Sequence, residues 1–376
     1  MLLKKLSTGD EAFREGDVIK IEFSGRRNVL STCAWNGGYR EDLDSVFNYD
    51  SSHGKTVMSS MKAPTLKEHM RLTASELGFD AQKTTGMCTA AQMKNVSIRE
   101  ISHEGVTVTA IVTGGIDVNG GRAGDPAAWY EKDGGFETIL RNQKMPGQTD
   151  GTINIMLVID AKVSQSVLAS ALMTVTEAKT AAIQELLLPS RYSNGIATGS
   201  GTDKAILIGN PSSDVKLTDA GKHSMLGEMI GKTVMSAVRE ALDKQTDANP
   251  KSQHSVFSRM ERFGMTRAGV LELLEKNGDS GCPSRECLEE KVEEAAGESG
   301  MVVGASLYAH LLDQLDWGLL DCSEVTKACR LLIEGTLSKA GFDCIDLDRS
   351  PEAHDDKTDI IRELARRFEK AFAASL

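Results

Sequence analysis

The chain has 376 residues, of which 40% are hydrophobic and 26% charged, and its formal net charge is -11. These proportions exclude a disordered or fibrous polymer and leave room for one large domain or two ordinary ones. Residues 251–376 hold 16 basic against 24 acidic side chains, a balance of -8, while the first 250 residues sum to -3; neither part carries the basic footprint of a nucleic-acid binder.

The opening Met1-Leu2-Leu3-Lys4-Lys5-Leu6 turns polar at once, so no signal-peptide apolar core is expected, and no run approaches a membrane span. The seven cysteines (Cys33, Cys88, Cys282, Cys287, Cys322, Cys329, Cys344) are dispersed with no CxxC pair. Reduced thiols in a cytoplasmic protein without a metal site are the simplest expectation.

In chain order, Asp17 to Phe23 alternates as a strand. Ser24 to Arg27 reads as a turn and Asn28 to Trp35 as the returning strand of an antiparallel hairpin, ending in the Asn36-Gly37-Gly38 loop. Val106 to Thr113 is rich in β-branched residues and predicts a buried strand, and Thr152 to Ile159 reads the same way. Ile196 to Thr198 and Ala205 to Ile208 read as two strands joined by a hairpin turn over Gly199 to Asp203. A helix is expected from about Ser164 to Leu188, with Leu168, Leu172, Val175, Ala182 and Leu186 on one face. A second is expected from about Asp219 to Leu242, N-capped by Thr218 or Asp219, with Gly227 and Gly231 beside its stripe for close backbone approach. A polar linker follows, containing Asn249-Pro250. The rest reads as mainly helical, with loops at Asn277 to Ser284 and around Ser350-Pro351. The expected architecture is α+β: a layered, mainly antiparallel or mixed sheet packed with helices over 1–245, then a helical C-terminal extension over 255–376.

Four stretches carry candidate chemistry. Thr113 to Asp125 follows a strand and packs five glycines with Asn119, Arg122 and Asp125. Such loops bring backbone N–H groups to anionic or carbonyl oxygens, though a bulged turn with Arg122 and Asp125 paired explains the pattern equally. Ala197-Thr-Gly-Ser-Gly-Thr-Asp203 is neither a Walker loop nor a dinucleotide fingerprint. It offers Thr198, Ser200 and Thr202 hydroxyls and the Asp203 carboxylate, or simply a tight turn. His223 lies one turn before Gly227, where a neutral imidazole suits a general base and a locally bonded histidine is the plainer alternative. In Thr176-Glu-Ala-Lys-Thr180, Lys179 projects near the apolar stripe and Glu177 nearly opposite. Lys179 there either snorkels or reaches a carboxylate or a substrate amide. His53 reads as a loop residue, and Met58, Met61 and Met70 as core filler.

Taken in order, these segments resemble the adenosylcobinamide amidohydrolase family. The matching text is Val106 to Ala110 with Gly115 and Asn119 to Asp125, Thr152 to Ile155, Thr176 to Thr180, Ala197 to Asp203, and Gly221-Lys-His223, with Ser31 to Gly38 and Gly86 to Ala91 also similar. The resemblance spans roughly Val18 to Leu242, and the region after Pro250 lies outside it. It implies hydrolysis of the aminopropanol amide of adenosylcobinamide to adenosylcobyric acid in cobamide salvage. The alternatives are a non-catalytic corrinoid-binding or escort protein, or an amidohydrolase for another amide. It further implies His223 as general base oriented by Asp203, with attack by water, Thr202 or Ser200 left open. Substrate contacts are expected from Asn36, Asn119, Arg122, Asp125, Glu177, Lys179, Gly199 and Gly201. The corrinoid carries its own cobalt, so no further cofactor is implied. The expected partner is this small molecule, with no nucleic acid and no membrane; a homo-oligomer is left open.

Overall fold

A computed structural model describes residues 1–52, 61–127, 129–132, 135–139, 151–277, 284–336 and 356–376. The chain divides into two compact units, Met1–Asn249 and Pro250–Leu376. The first unit opens with strands β1 (Leu2–Lys5), β2 (Glu11–Glu15), β3 (Val18–Glu22), β4 (Asn28–Ser31), β5 (Gly38–Arg40) and β6 (Ser45–Asp50), then helix α1 (Leu66–Glu76) and β7 (Thr84–Thr89). Strands β8 (Ser97–His103), β9 (Val106–Thr113), β10 (Gly120–Gly121), β11 (Trp129–Lys132), β12 (Gly135–Thr138), β13 (Asn154–Ile159) and β14 (Lys162–Val163) follow. Helix α2 (Gln165–Glu185), β15 (Gly199–Ser200), β16 (Lys204–Gly209), β17 (Lys216–Leu217) and α3 (Met225–Thr246) complete it.

Two sheets dominate this unit. One is five-stranded, in the order β1-β2-β3-β6-β7, and the other six-stranded, in the order β5-β4-β16-β13-β9-β8. Pairs β6–β7 and β13–β16 are parallel and the remaining neighbours antiparallel, giving the mixed sheets of an α+β fold. Period-two alternation sorts side chains into layers. Met156, Val158, Ile206, Ile208 and Ile111 from the six-stranded sheet meet Ile19, Ile21, Val46 and Met87 from the other. Ile155, Leu157 and Ile159 point the opposite way, against Val167, Leu168, Val175, Ile230, Val234 and Val238 of α2 and α3. Helix α1 contributes Met70 and Ala74 to a cluster with Phe47 and Tyr49 of the five-stranded sheet. The result is four layers: helix, sheet, sheet, helix pair. Strand β13 is buried on both faces, which is why its sequence reads as unbroken apolar residues after Asn154. Each fully buried aliphatic side chain of this kind contributes about 1.5–3 kcal/mol.

Three local expectations are corrected. The segment 17–35 is not a hairpin: β3 pairs with β2 and β6 in one sheet, and β4 with β16 and β5 in the other. Both edges of each strand are taken, so the chain crosses between sheets at residues 24–27. There Arg27, 3% exposed, donates from Nε and Nη2 to the Asp10 carboxylate at 2.9 and 2.8 Å and from Nη2 to the Thr8 carbonyl at 2.7 Å. This buried fork anchors the crossing. Likewise Ile196 to Thr198 does not pair with β16, whose edges belong to β13 and β4; the Ala197 N–H donates to the Leu188 carbonyl and the Thr198 N–H to that of Gly121. Finally, α3 starts at Met225 with Ser224 as its N-cap, six residues later than expected. The Ser224 hydroxyl accepts from the Gly227 N–H at 3.0 Å and donates to the Gly221 carbonyl at 2.8 Å. A Cβ at Gly227 would collide with that carbonyl, so the anticipated close approach holds there, but Gly231 faces open space.

The second unit contains α4 (Val256–Met260), α5 (Arg267–Asn277), α6 (Arg285–Ala296), α7 (Ser299–Asp316), α8 (Cys322–Thr336) and α9 (Lys357–Ala374). Phe257, Tyr308, Phe368 and Phe372 form its largest buried side chains, and the Tyr308 hydroxyl donates to the Leu364 carbonyl at 2.7 Å. Arg262 forks onto Asp313 at 2.5 Å for both bonds, with side chains 5% and 8% exposed. Burial pushes the Cys329 thiol up to about 12, the character of a core residue. The loops expected at 278–283 and 350–351, together with Cys282, Cys344, His53 and Met58, lie outside the described residues. Among the described residues, no helix is long and apolar enough to cross a membrane, and no cluster of three or more His, Cys, Asp or Glu side chains could hold a metal.

Candidate functional site

The two glycine-rich loops meet. Gly120–Gly121 pairs antiparallel with Gly199–Ser200, two segments about eighty positions apart in the chain. The join is reinforced on each side. The Asp125 carboxylate accepts from the Arg122 N–H and the Ser190 hydroxyl, both at 2.6 Å, and the Thr198 hydroxyl accepts from the Ala123 N–H at 3.0 Å. The Arg122 side chain lies over Gly195, where a Cβ would strike its Cδ. Asn119 donates its amide to the Gly151 carbonyl, while its Oδ1 is buried and has no partner among the described residues. Thr202 and Thr152 share a hydroxyl–hydroxyl bond of 2.6 Å.

Asp203 is the hub of the second loop. Its Oδ1 accepts from the Ile153 N–H at 2.9 Å and the Ser200 hydroxyl at 2.6 Å; its Oδ2 accepts from the Ser200 N–H at 3.0 Å and from the Lys179 ammonium. The Lys179 and Asp203 side chains are only 12% and 13% exposed. Lys179 therefore reaches a carboxylate, one of the options its position on α2 left open. A carboxylate offers about four lone-pair sites, and all four are filled. Among the described residues no hydrogen bond joins Asp203 to His223, and its four acceptor sites are taken by other donors. The four donors come from the loop itself, from β13 and from α2, so Asp203 instead locks the loop to both. Gly199 is required beneath it, because a Cβ there would collide with Asp203 Oδ2 and Lys179 Nζ. Gly201 faces open space.

His223 is exposed and stands just before the N-cap rather than inside the helix. Its turn is held against α2 by the Thr174 hydroxyl, which donates to the Ala220 carbonyl at 2.8 Å, and by Lys222, which donates to Glu177 at 2.8 Å. Thr180, one turn beyond Glu177 on α2, donates to the Thr198 carbonyl at 3.0 Å. Positions three apart share a helix face. The 219–224 turn and the 198–203 loop thus lie side by side along α2. Asn36, at φ 48°, commits its amide nitrogen to the Ala81 and Thr84 carbonyls at 3.0 and 2.8 Å, a clamp on the start of β7.

Sequence reasoning passed over two features. One is a buried polar chain between the sheets. Asn154 donates to the Cys88 carbonyl and to Asn48 Oδ1 at 3.1 and 2.8 Å, and Asn48 donates to Thr113 Oγ1 at 2.8 Å. A single Asn ending an apolar strand gives little signal in one dimension. The other is His69, whose Nδ1 accepts from the Lys62 N–H at 3.1 Å while Nε2 is buried and has no partner among the described residues. Burial holds this imidazole below its ordinary pKa.

Comparison with known proteins bears on the first unit. The sequence model of the adenosylcobinamide amidohydrolase (CbiZ) family matches residues 3–250. The uncharacterized protein MJ1613 of Methanocaldococcus jannaschii is 34% identical over 238 residues, covering 63% of this chain and 89% of that protein. Among solved structures, the PH0078 protein from Pyrococcus horikoshii OT3 aligns with 62% of this chain and 78% of its own, at 15% identity and a TM-score of 0.28. That last likeness is too weak to inform either fold or function.

Proposed function

This chain belongs to the adenosylcobinamide amidohydrolase family, and from that membership we propose that it hydrolyses the amide joining aminopropanol to the corrin ring of adenosylcobinamide, releasing adenosylcobyric acid as a cytoplasmic step of cobamide salvage. The observation that supports a hydrolytic site is the pairing of Gly120–Gly121 with Gly199–Ser200, which concentrates backbone N–H groups and the Ser200, Thr202 and Thr152 hydroxyls at one end of the six-stranded sheet. An unactivated amide needs an attacking oxygen, stabilisation of the oxyanion and a proton for the leaving amine. The Ser200 hydroxyl is already committed to Asp203, so water is the simpler nucleophile. His223, on the neighbouring turn of α2's surface, serves in this proposal as the proton carrier without help from Asp203. The cobalt belongs to the substrate, and the reaction as written uses no cofactor held by the protein.

Incubating the full-length chain with adenosylcobinamide and assaying free aminopropanol tests the reading directly. Release of aminopropanol with formation of adenosylcobyric acid supports it. Tight corrinoid binding without release would replace it with an escort function, and neither binding nor release would remove the corrinoid altogether. His223→Ala is expected to lower kcat by about 10²–10⁴-fold, the usual contribution of a positioned acid–base group. Wild-type turnover in that variant would take His223 out of the mechanism.

A further inference from the structure

The inner face of the six-stranded sheet carries a row of polar residues in register. Thr113 of β9 is the Cα partner of Asn154 of β13, and Asn154 is the partner of Lys204 of β16. Register partners on adjacent strands present their side chains on the same face. Alternation puts this face toward the other sheet, since Ile111, Met156 and Ile206, two residues further along each strand, all lie in the core between the sheets. The row closes one end of that layer.

Two members of the row have groups without partners among the described residues. Asn154 is 0% exposed, and its orientation is fixed because its nitrogen faces the Cys88 carbonyl, which can only accept. Its Oδ1 is left buried with no donor, a costly state at roughly 1–3 kcal/mol for an unsatisfied polar atom. Beside it, Lys204 is partly buried, and its ammonium makes no hydrogen bond or ion pair among the described residues. The Lys204 charge reaches into this end of the layer: burial raises the Cys88 thiol to about 11 and also raises that of Cys33, and Lys204 pulls each the other way. Among the described residues this leaves an unpaired donor and an unpaired acceptor on neighbouring strands, a pair that a secondary carboxamide complements. Its carbonyl oxygen accepts from the lysine, and its N–H donates to the asparagine.

We propose that Lys204 and Asn154 form a carboxamide subsite that receives the scissile amide, Lys204 Nζ on the carbonyl oxygen and Asn154 Oδ1 on the N–H. This rests on the amidohydrolase reading and assigns two of its substrate contacts. As water adds to the carbonyl carbon, negative charge collects on the oxygen beside Lys204. The C–N bond then breaks, the amine leaves as an ammonium ion with both protons of the water, and the acyl group remains as a carboxylate against the lysine ammonium.

The test compares full-length wild type, Lys204→Met and Lys204→Arg in turnover of adenosylcobinamide and in calorimetric binding of adenosylcobyric acid. Lys204→Met is expected to lower kcat by about a hundredfold or more with little change in KM, and to weaken adenosylcobyric acid by about tenfold or more. Lys204→Arg, which keeps the charge, should recover part of both. Asn154→Leu should raise KM and lower kcat while Lys204→Met remains folded as a control on the row. A raised KM at unchanged kcat in Lys204→Met would overturn the assignment, because the lysine would then hold a different amide of the corrin rim. Unchanged product affinity would also overturn it. If wild type releases no aminopropanol, the hydrolase reading fails by itself, and the binding of adenosylcobyric acid still decides the subsite.

Discussion

Replacing Asp203 by Asn is the sharpest perturbation of the glycine-loop site. The carboxylate accepts four bonds: from the Ile153 N–H, the Ser200 hydroxyl, the Ser200 N–H and Lys179. A carboxamide keeps one oxygen, which serves the Ile153 N–H and the Ser200 hydroxyl. Its NH2 group then faces two donors, Lys179 and the Ser200 N–H, and can accept from neither. With both side chains at 12–13% exposure, the lysine becomes a largely buried charge without a partner, a change that costs about 3–5 kcal/mol. Lys179→Met should cost less, about 1–2 kcal/mol, because Asp203 keeps three donors of its own. Equilibrium unfolding of the two variants and the double variant, followed by circular dichroism in guanidinium chloride, measures the asymmetry. The double variant should be more stable than Asp203→Asn alone, since removing the lysine removes the unpaired charge. An Asp203→Asn protein within about 0.5 kcal/mol of wild type, a loss of that size being within ordinary surface scatter, would refute the reasoning; so would a Lys179→Met protein less stable than Asp203→Asn.

Two further outcomes follow from the local chemistry. Ser224→Ala removes the N-cap of α3 and should destabilise the first unit by about 1 kcal/mol, with faster amide exchange at Gly227; unchanged exchange there would reassign the cap. His69 is a pH probe. Its folded pKa lies below the ordinary 6.5 because of burial, so the unfolded chain takes up the proton first as pH falls. Its contribution is present above about 6.5 and is lost on acidification through the folded value. His69→Phe should therefore flatten the fall in stability on acidification below about pH 6.5, and an unaltered slope would show that burial does not separate the folded imidazole's titration from that of the unfolded chain.

How much of this was legible in one dimension differs from element to element. Strands β9, β13 and β16 announced themselves as β-branched or unbroken apolar runs, because a central strand buried on both faces tolerates little else. Helix α2 was legible from its apolar stripe. The ordered motifs resembling the amidohydrolase family were readable in the same way, since they depend on local text. The start of α3 was misplaced because Thr218, Asp219 and Ser224 are all competent caps, and only the packing of Gly227 on the Gly221 carbonyl selects Ser224.

The α+β class, the family and the residues of the two glycine loops could all be read along the chain. Composition, hydrophobic period and local motif text are properties of neighbours along the chain. Packing in three dimensions was needed to show that residues 17–35 split between two sheets, that Asp203 gives its lone pairs to Ile153, Ser200 and Lys179, and that Lys204 stands in a row with Asn154 and Thr113. Strand partnership and hydrogen-bond saturation are set by residues dozens of positions apart, competing for the same edge or the same oxygen, and no local pattern encodes which of them wins.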